Sequence, residues 1–121
     1  MSGKERIGNL LAAIGARNQD PVLAARERAV IEKLIKTAAK YIEIVANQVI
    51  LIQGGEADAR TLADVDTARS RTHDSLIAQI NIINRLCEKY GVPYVYEGDD
   101  DRRSKGDFAL QLINEYFRDR P

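Results

Sequence analysis

The chain has 121 residues, 45% of them hydrophobic, and its 18 basic and 18 acidic side chains cancel to a formal charge of zero. That length suits one domain, residues 1–121, with a core of its own, and the composition lies outside the disordered range. Balanced charge excludes a protein that relies on bulk attraction to nucleic acid or to an anionic membrane. The single cysteine, Cys87, can form no intrachain disulfide, which fits a reducing compartment. The polar start, Met1 to Arg6, does not read as a signal peptide. The densest apolar stretch, Ile42 to Ile52, is interrupted by Glu43, Asn47 and Gln48, so no membrane span is expected. The expectation is a cytoplasmic protein with no membrane or nucleic-acid partner.

Ile7, Leu10, Leu11 and Ile14 recur at helical spacing and predict a short helix from about Lys4 to Arg17. Gly8 and Gly15 weaken it by about 1 kcal/mol each relative to alanine, so it depends on docking elsewhere. Asp20-Pro21 is a helix start, with Asp as N-cap and Pro in the first turn. From there to Gln53 no glycine or proline intervenes, and Ile31, Leu34, Ala38, Tyr41, Ile42, Val45, Val49 and Ile52 lie on one wide apolar face. Gly54-Gly55 ends this second helix. A third runs from about Asp58 to Tyr90, with a seam of Leu76, Ile80, Ile83, Cys87 and Tyr90, and Gly91 and Pro93 stop it. The tight glycine turn predicts that the two long helices lie antiparallel, pairing residues whose numbers sum to about 111. The predicted fold is therefore all-α, a long two-helix hairpin with shorter N- and C-terminal helices packed on it.

Gly91 to Gly106 is the one long irregular stretch. Val92, Tyr94, Val95 and Tyr96 are too apolar for a free tether and should pack against the hairpin's open end. Ser104 and Asp107 read as a capping box for a last helix from about Lys105 to Arg118. If Lys105 starts near Tyr90 and this helix runs antiparallel to the third, Tyr116 and Phe117 form a lid over His73. Asp99 to Asp101 then stay far from His73.

Chemistry-bearing residues are few. The third helix's seam turns polar towards its start, through His73, Arg69 and Asp66, and hairpin pairing sets Tyr41 opposite Arg69, where it could stack or hydrogen-bond. One placement makes Asp66, Arg69, His73 and Tyr41 a polar pocket or partner surface. In the other, helical drift rotates the core face onto Val65, Ala68 and Thr72 and leaves His73 on the surface. Glu97 and Asp99 to Asp101 lack the spacing of an EF-hand, and Arg102 and Arg103 supply countercharge, so a solvated loop is expected rather than a metal site. Cys87 reads as a small buried hydrophobe, and no cofactor is expected. No phosphate-binding loop, dinucleotide fingerprint, zinc-binding helix or nucleophile elbow occurs. Glu32 and Glu43 stand alone, without the paired carboxylates of all-α nucleotide pyrophosphohydrolases.

Two resemblances bear on function. His73-Asp74-Ser75-Leu76 with Gln79 resembles the phosphoacceptor helix of one class of bacterial histidine kinases, which implies phosphotransfer at His73. The match covers about ten residues, lies on the second rather than the first hairpin helix, and comes with no ATP-binding domain. Arg71-Thr72-His73, Asn81, Asn84, Gly91-Val92-Pro93, Glu97-Gly98-Asp99 and Gly106-Asp107-Phe108 together resemble small all-helical bacterial families of unknown function. That resemblance implies the helical fold and no activity. The leading expectation is a non-enzymatic interaction module that self-associates as a homodimer, with a further protein partner also compatible. Its surplus apolar residues Ile44, Ile50 and Leu51 supply the interface. The alternative is a histidine-dependent phosphotransfer protein or small enzyme using His73.

Overall fold

Each helix begins where a side chain can take the backbone N–H groups that a first turn leaves unpaired. In the computed structural model, which describes residues 1–117, Ser2 caps α1 (Gly3–Arg17) through the amide of Glu5. Asp20 caps α2 (Pro21–Gly54) through the amides of Val22 and Leu23, and Asp58 caps α3 (Ala59–Tyr90) through that of Thr61. A fourth helix, α4 (Arg102–Phe117), completes an all-α bundle, and the described residues contain no strand. Arg118, the last helical residue expected from sequence, lies outside the described residues. Gly91 ends α3 in the left-handed region at φ 66°, with its own amide and that of Val92 returning to the last carbonyls of the helix.

α2 and α3 form the antiparallel hairpin, but its register differs from the sequence expectation. The connection is not a two-residue glycine turn; it runs from Gly55 to Asp58. The longer turn moves the pairing, so that facing residues such as Tyr41 with His73 and Gln48 with Asp66 sum to about 114.

The core lies at the open end of the hairpin. Ile31, Leu34 and Ala38 of α2 and Leu76, Ile80, Ile83 and Cys87 of α3 are buried there. Ile7, Leu10 and Ile14 from α1, Val95 from the connecting loop, and Ala109 and Leu112 from α4 join them in one cluster. Each large side chain so buried contributes about 1.5–3 kcal/mol, which is what holds the glycine-containing α1 in place. Burial pushes the Cys87 thiol up from its ordinary value, against smaller opposing contributions from the Val95 backbone and Arg6, so it stays a protonated core side chain.

No residue of α2 beyond Ala38 and none of α3 before Thr72 is buried. The hairpin therefore has a root, covered by α1 and α4, and an arm that α4 flanks only at its base, beside Tyr41. The arm's stretch of α2, residues 39–54, is about 24 Å long at 1.5 Å per residue. Val49 and Ile52, expected in the core, are 46% and 60% exposed. They continue the apolar face of the root past the point where the other helices cover it.

A buried polar knot fastens α1 and the two long helices together. Glu27, only 5% exposed, accepts from Lys89 Nζ at 2.7 Å, from Asn18 Nδ2 at 2.9 Å and from the Tyr90 hydroxyl. Arg17 donates to the Tyr90 carbonyl. Burial pushes the Glu27 carboxyl up, but the hydrogen bonds from Lys89, Tyr90 and Asn18 outweigh it and hold the group below its ordinary 4.5. The same contacts raise Lys89, chiefly through its hydrogen bond to Glu27, and Tyr90, chiefly through burial. A carboxyl lowered on folding contributes stability that is present above its unfolded value and is lost as pH falls through the folded one. Glu27→Ala should therefore cost about 2 kcal/mol in urea unfolding at pH 7, where it strands three donors. The penalty should shrink progressively as the pH is taken below 4.5, and a penalty that holds constant to pH 3 would count against the charged network.

Candidate functional site

The path of the loop between α3 and α4 is set by one side chain. Asn84, on α3, uses its carboxamide as a substitute strand edge. Its Nδ2 donates to the Tyr96 carbonyl at 3.0 Å, and its Oδ1 accepts from the amides of Val95 at 3.1 Å and Tyr96 at 3.3 Å. Val95 is thereby seated in the core at 3% exposure. Tyr94 donates through its hydroxyl to Glu88, and Glu97 pairs with Arg6 at 3.1 Å. These contacts step backwards along α3, from Glu88 to Asn84, and the loop follows them down the helix.

α4 consequently starts beside His73 rather than beside Tyr90. Asp101 is its cap, accepting from the Ser104 amide and hydroxyl, both at 2.8 Å, and those bonds from Ser104 hold its carboxyl below the usual carboxylate range. The capping pair expected at Ser104 and Asp107 is thus displaced by three residues. His73 Nε2 lies 2.9 Å from the Arg102 carbonyl, and since a carbonyl can only accept, this nitrogen carries the proton. The expected lid of Tyr116 and Phe117 does not form. The far end of α4 packs instead on the start of α1, where Glu115 accepts from the Lys4 amide at 3.1 Å and Lys4 lies over the Tyr116 ring. Of Asp99 to Asp101, expected far from His73, Asp101 adjoins the residue that His73 contacts.

Between the root of the arm and the first two turns of α4 is a cleft of about 490 Å³. Tyr41, Ile42 and Val45 line it from α2, Arg69, Ser70 and His73 from α3, and Arg102, Arg103, Gly106, Asp107 and Leu110 from α4. Gly106 lets α4 and α2 approach closely, since a Cβ there would stand 3.3 Å from the Tyr41 hydroxyl, tight enough that Tyr41 would have to shift. Tyr41 meets His73 edge to face, with ring centres 5.3 Å apart. Arg69, which sequence pairing set against Tyr41, takes Asp66 at 3.2 Å, and Asp66 also accepts from Gln48 at 3.4 Å.

Three of the four polar residues singled out from sequence, Tyr41, Arg69 and His73, therefore line one cleft, and Asp66 sits just outside it. His73 is 5% exposed, not on the surface, and Thr72 beside it is buried at 8%. Of the other residues of the rotated face, Val65 is half-buried and Ala68 exposed. Sequence reading missed Arg102, Arg103, Asp107, Ser70 and Leu110. Arg102 and Arg103 were taken as countercharge for the acidic loop, and nothing local to them signals that the chain returns to His73.

Three guanidiniums and one carboxylate, Asp107, line the cleft, and Asp66 at its edge pairs with Arg69. Arg102 is paired at its outer side with Asp74 at 3.2 Å, and among the described residues Arg103 has no ion pair. Arg69 Nε and His73 Nδ1 are buried with no hydrogen-bond partner. The acidic loop is spent structurally: Asp100 binds Lys105, which is 6% exposed, at 2.6 Å. Among the described residues no three histidine, cysteine, aspartate or glutamate side chains are grouped to hold a metal. No helix among them is long and apolar enough to cross a membrane.

Of the residues assigned to an interface from sequence, Ile50 is 66% exposed, while Ile44 and Leu51 are half-buried on the arm.

If the Asn84 clamp positions this cleft, Asn84→Ala should do two things. It should cost about 2 kcal/mol of stability, by leaving the backbone groups of residues 95 and 96 unpaired. It should also shift the imidazole resonances of His73, three helical turns away, in a protein that remains folded. An unmoved His73 signal would show that α4 holds its place without the clamp.

No curated protein and no solved structure matches the chain. Residues 5–120 match the family described as "Protein of unknown function (DUF3232)", so nearly the whole chain, including every residue of the cleft, belongs to that family.

Proposed function

We propose that the protein is a non-enzymatic, cytosolic helical interaction module that self-associates through its hairpin arm. The observation that carries this reading is the arm itself. It extends about 24 Å beyond the last buried residue of α2 and presents Val49, Ile50 and Ile52 at 46%, 66% and 60% exposure. Exposed apolar side chains gathered on one stretch of helix support a partner surface. The simplest partner is a second arm laid antiparallel across a two-fold axis, which turns two helix pairs into a four-helix bundle. Charge supports that orientation. The tip carries Glu56, Asp58 and Asp64 against Arg60, and the other end carries Lys36, Lys40, Arg69 and Arg71 against Glu43 and Asp74. Antiparallel arms set tip against root, and parallel arms set like charges together.

The alternative use of His73 in phosphotransfer or catalysis finds less support. Its Nε2 is engaged by the Arg102 carbonyl and its Nδ1 is sealed from solvent, so a phosphodonor has no open nitrogen to approach.

Light scattering at about 50 μM, a concentration that detects micromolar association, should give a dimer. Val49→Lys with Ile52→Lys should reduce it to a monomer with the helical circular dichroism nearly unchanged, because neither side chain belongs to the root. Leu51→Lys should weaken it as well. A wild-type monomer at this concentration, or a dimer that survives the double substitution, rules the arm out as the interface.

A further inference from the structure

We propose that the cleft at the root of the arm binds a small phosphate monoester, with the phosphate among Arg69, Arg102 and Arg103 and an apolar group against Tyr41, Ile42, Val45 and Leu110. The inference is separate from self-association and needs only the single chain.

Four observations carry it. The cleft, about 490 Å³, has the size of a small-molecule site. Its lining divides into a cationic side and an apolar side, the arrangement that an amphiphilic anion requires. Guanidinium groups bind phosphate through paired, charge-assisted hydrogen bonds, and here they come from two different helices, so an anion between them would bridge α3 and α4. The hydrogen-bonding capacity around the cleft is also incompletely used. Arg69 gives Nη2 to Asp66 while its Nε is buried and unpartnered. Buried donors without partners are uncommon in folded proteins, and this one belongs to a residue that lines the cleft. Arg103 has no carboxylate of its own among the described residues. The first turn of α4, a helix of 16 residues, adds a favourable dipole for negative charge.

Along the α3–α4 loop the cations are paired, Arg6 with Glu97 and Lys105 with Asp100, whereas in the cleft, among the described residues, Arg103 stands without an ion pair beside the paired Arg69 and Arg102.

The test uses the intact chain, whose only histidine gives one imidazole to follow by NMR. Phenyl phosphate, inorganic phosphate and phenol are titrated separately at fixed ionic strength. Phenyl phosphate should shift the His73 and Tyr41 ring signals saturably below about 1 mM. Inorganic phosphate should move the same signals at least tenfold more weakly, and phenol should not saturate. Arg103→Gln should weaken phenyl phosphate at least tenfold with unchanged helicity. Leu110→Ser, on the apolar side, should bring phenyl phosphate close to inorganic phosphate without altering the latter. The proposal is overturned if phenyl phosphate produces no saturable shift up to about 10 mM, if Arg103→Gln binds like the wild type, or if phenol binds as well as its ester. Equal binding of inorganic phosphate and the ester overturns the assignment of the apolar group.

Discussion

The contact on which the rest of this architecture depends is the carboxamide of Asn84. A segment leaving a helix past a left-handed glycine has many directions open to it, and eleven residues, 91–101, separate α3 from α4. Asn84 removes that freedom by supplying both an acceptor and a donor to consecutive backbone groups of Val95 and Tyr96. The chain then has to run back along α3, and Val95 enters the core as a consequence. Because α4 is reached only by this path, its first turn arrives at His73 and its last at α1. The cleft is the space left where a helix beginning at that level meets two helices that continue beyond it.

The same constraint divides the molecule into two parts with different energetics. At the root, four helices bury a continuous cluster, and the carboxylate that enters it, Glu27, is paired with Lys89, Tyr90 and Asn18. Such a knot contributes little net energy compared with the apolar burial around it. It is costly to break, because each member removed leaves the others dehydrated. In the arm, two helices can shield only the line where they touch. The remaining apolar side chains stay open, and opening free energies there are expected to be lower than at the root.

How much of this was legible in the sequence follows from the range of each interaction. Asp20-Pro21 at the start of α2 and Gly91 at the end of α3 act on their own helix turns, so helix class and boundaries could be read locally. The polar turn of the seam at Asp66, Arg69 and His73 was visible as a break in an apolar period, but hairpin geometry set Tyr41 against Arg69, whereas it meets His73. The register was off by about three in the sum because Gly54-Gly55 looked like the whole turn, although Asp58 caps α3 and lengthens it to four residues. The course of the last helix was not legible. It depends on side-chain-to-backbone bonds from Asn84 across 11 and 12 residues, which leave no periodic trace. An asparagine on a helix carries the same local pattern whether it faces water or clamps a loop. Placing Lys105 beside Tyr90 was the natural inference from the apolar residues 92–96 alone, and it led directly to a lid that the chain does not build. Arg102 and Arg103 were lost to the candidate site by the same error.

The polar residues of the seam also explain why the arm is bare. Had positions 66, 69 and 73 been apolar, the face presented by Ile80 and Leu76 would have continued to the tip. A fourth helix could then have packed along it. Instead, any side chain of α4 laid over Asp66 and Arg69 would bury charges whose hydration it could not replace, at a cost of several kcal/mol per ion. The described part of α4 therefore runs the other way, over the root, and its N-terminus stops at His73, where a carbonyl rather than an apolar side chain meets the seam. On the opposite helix the apolar pattern does not stop, and Val49 and Ile52 continue a face that α3 no longer matches. The cleft and the open arm thus have one origin, a helix pair in which one partner turns polar about half a helix before the other.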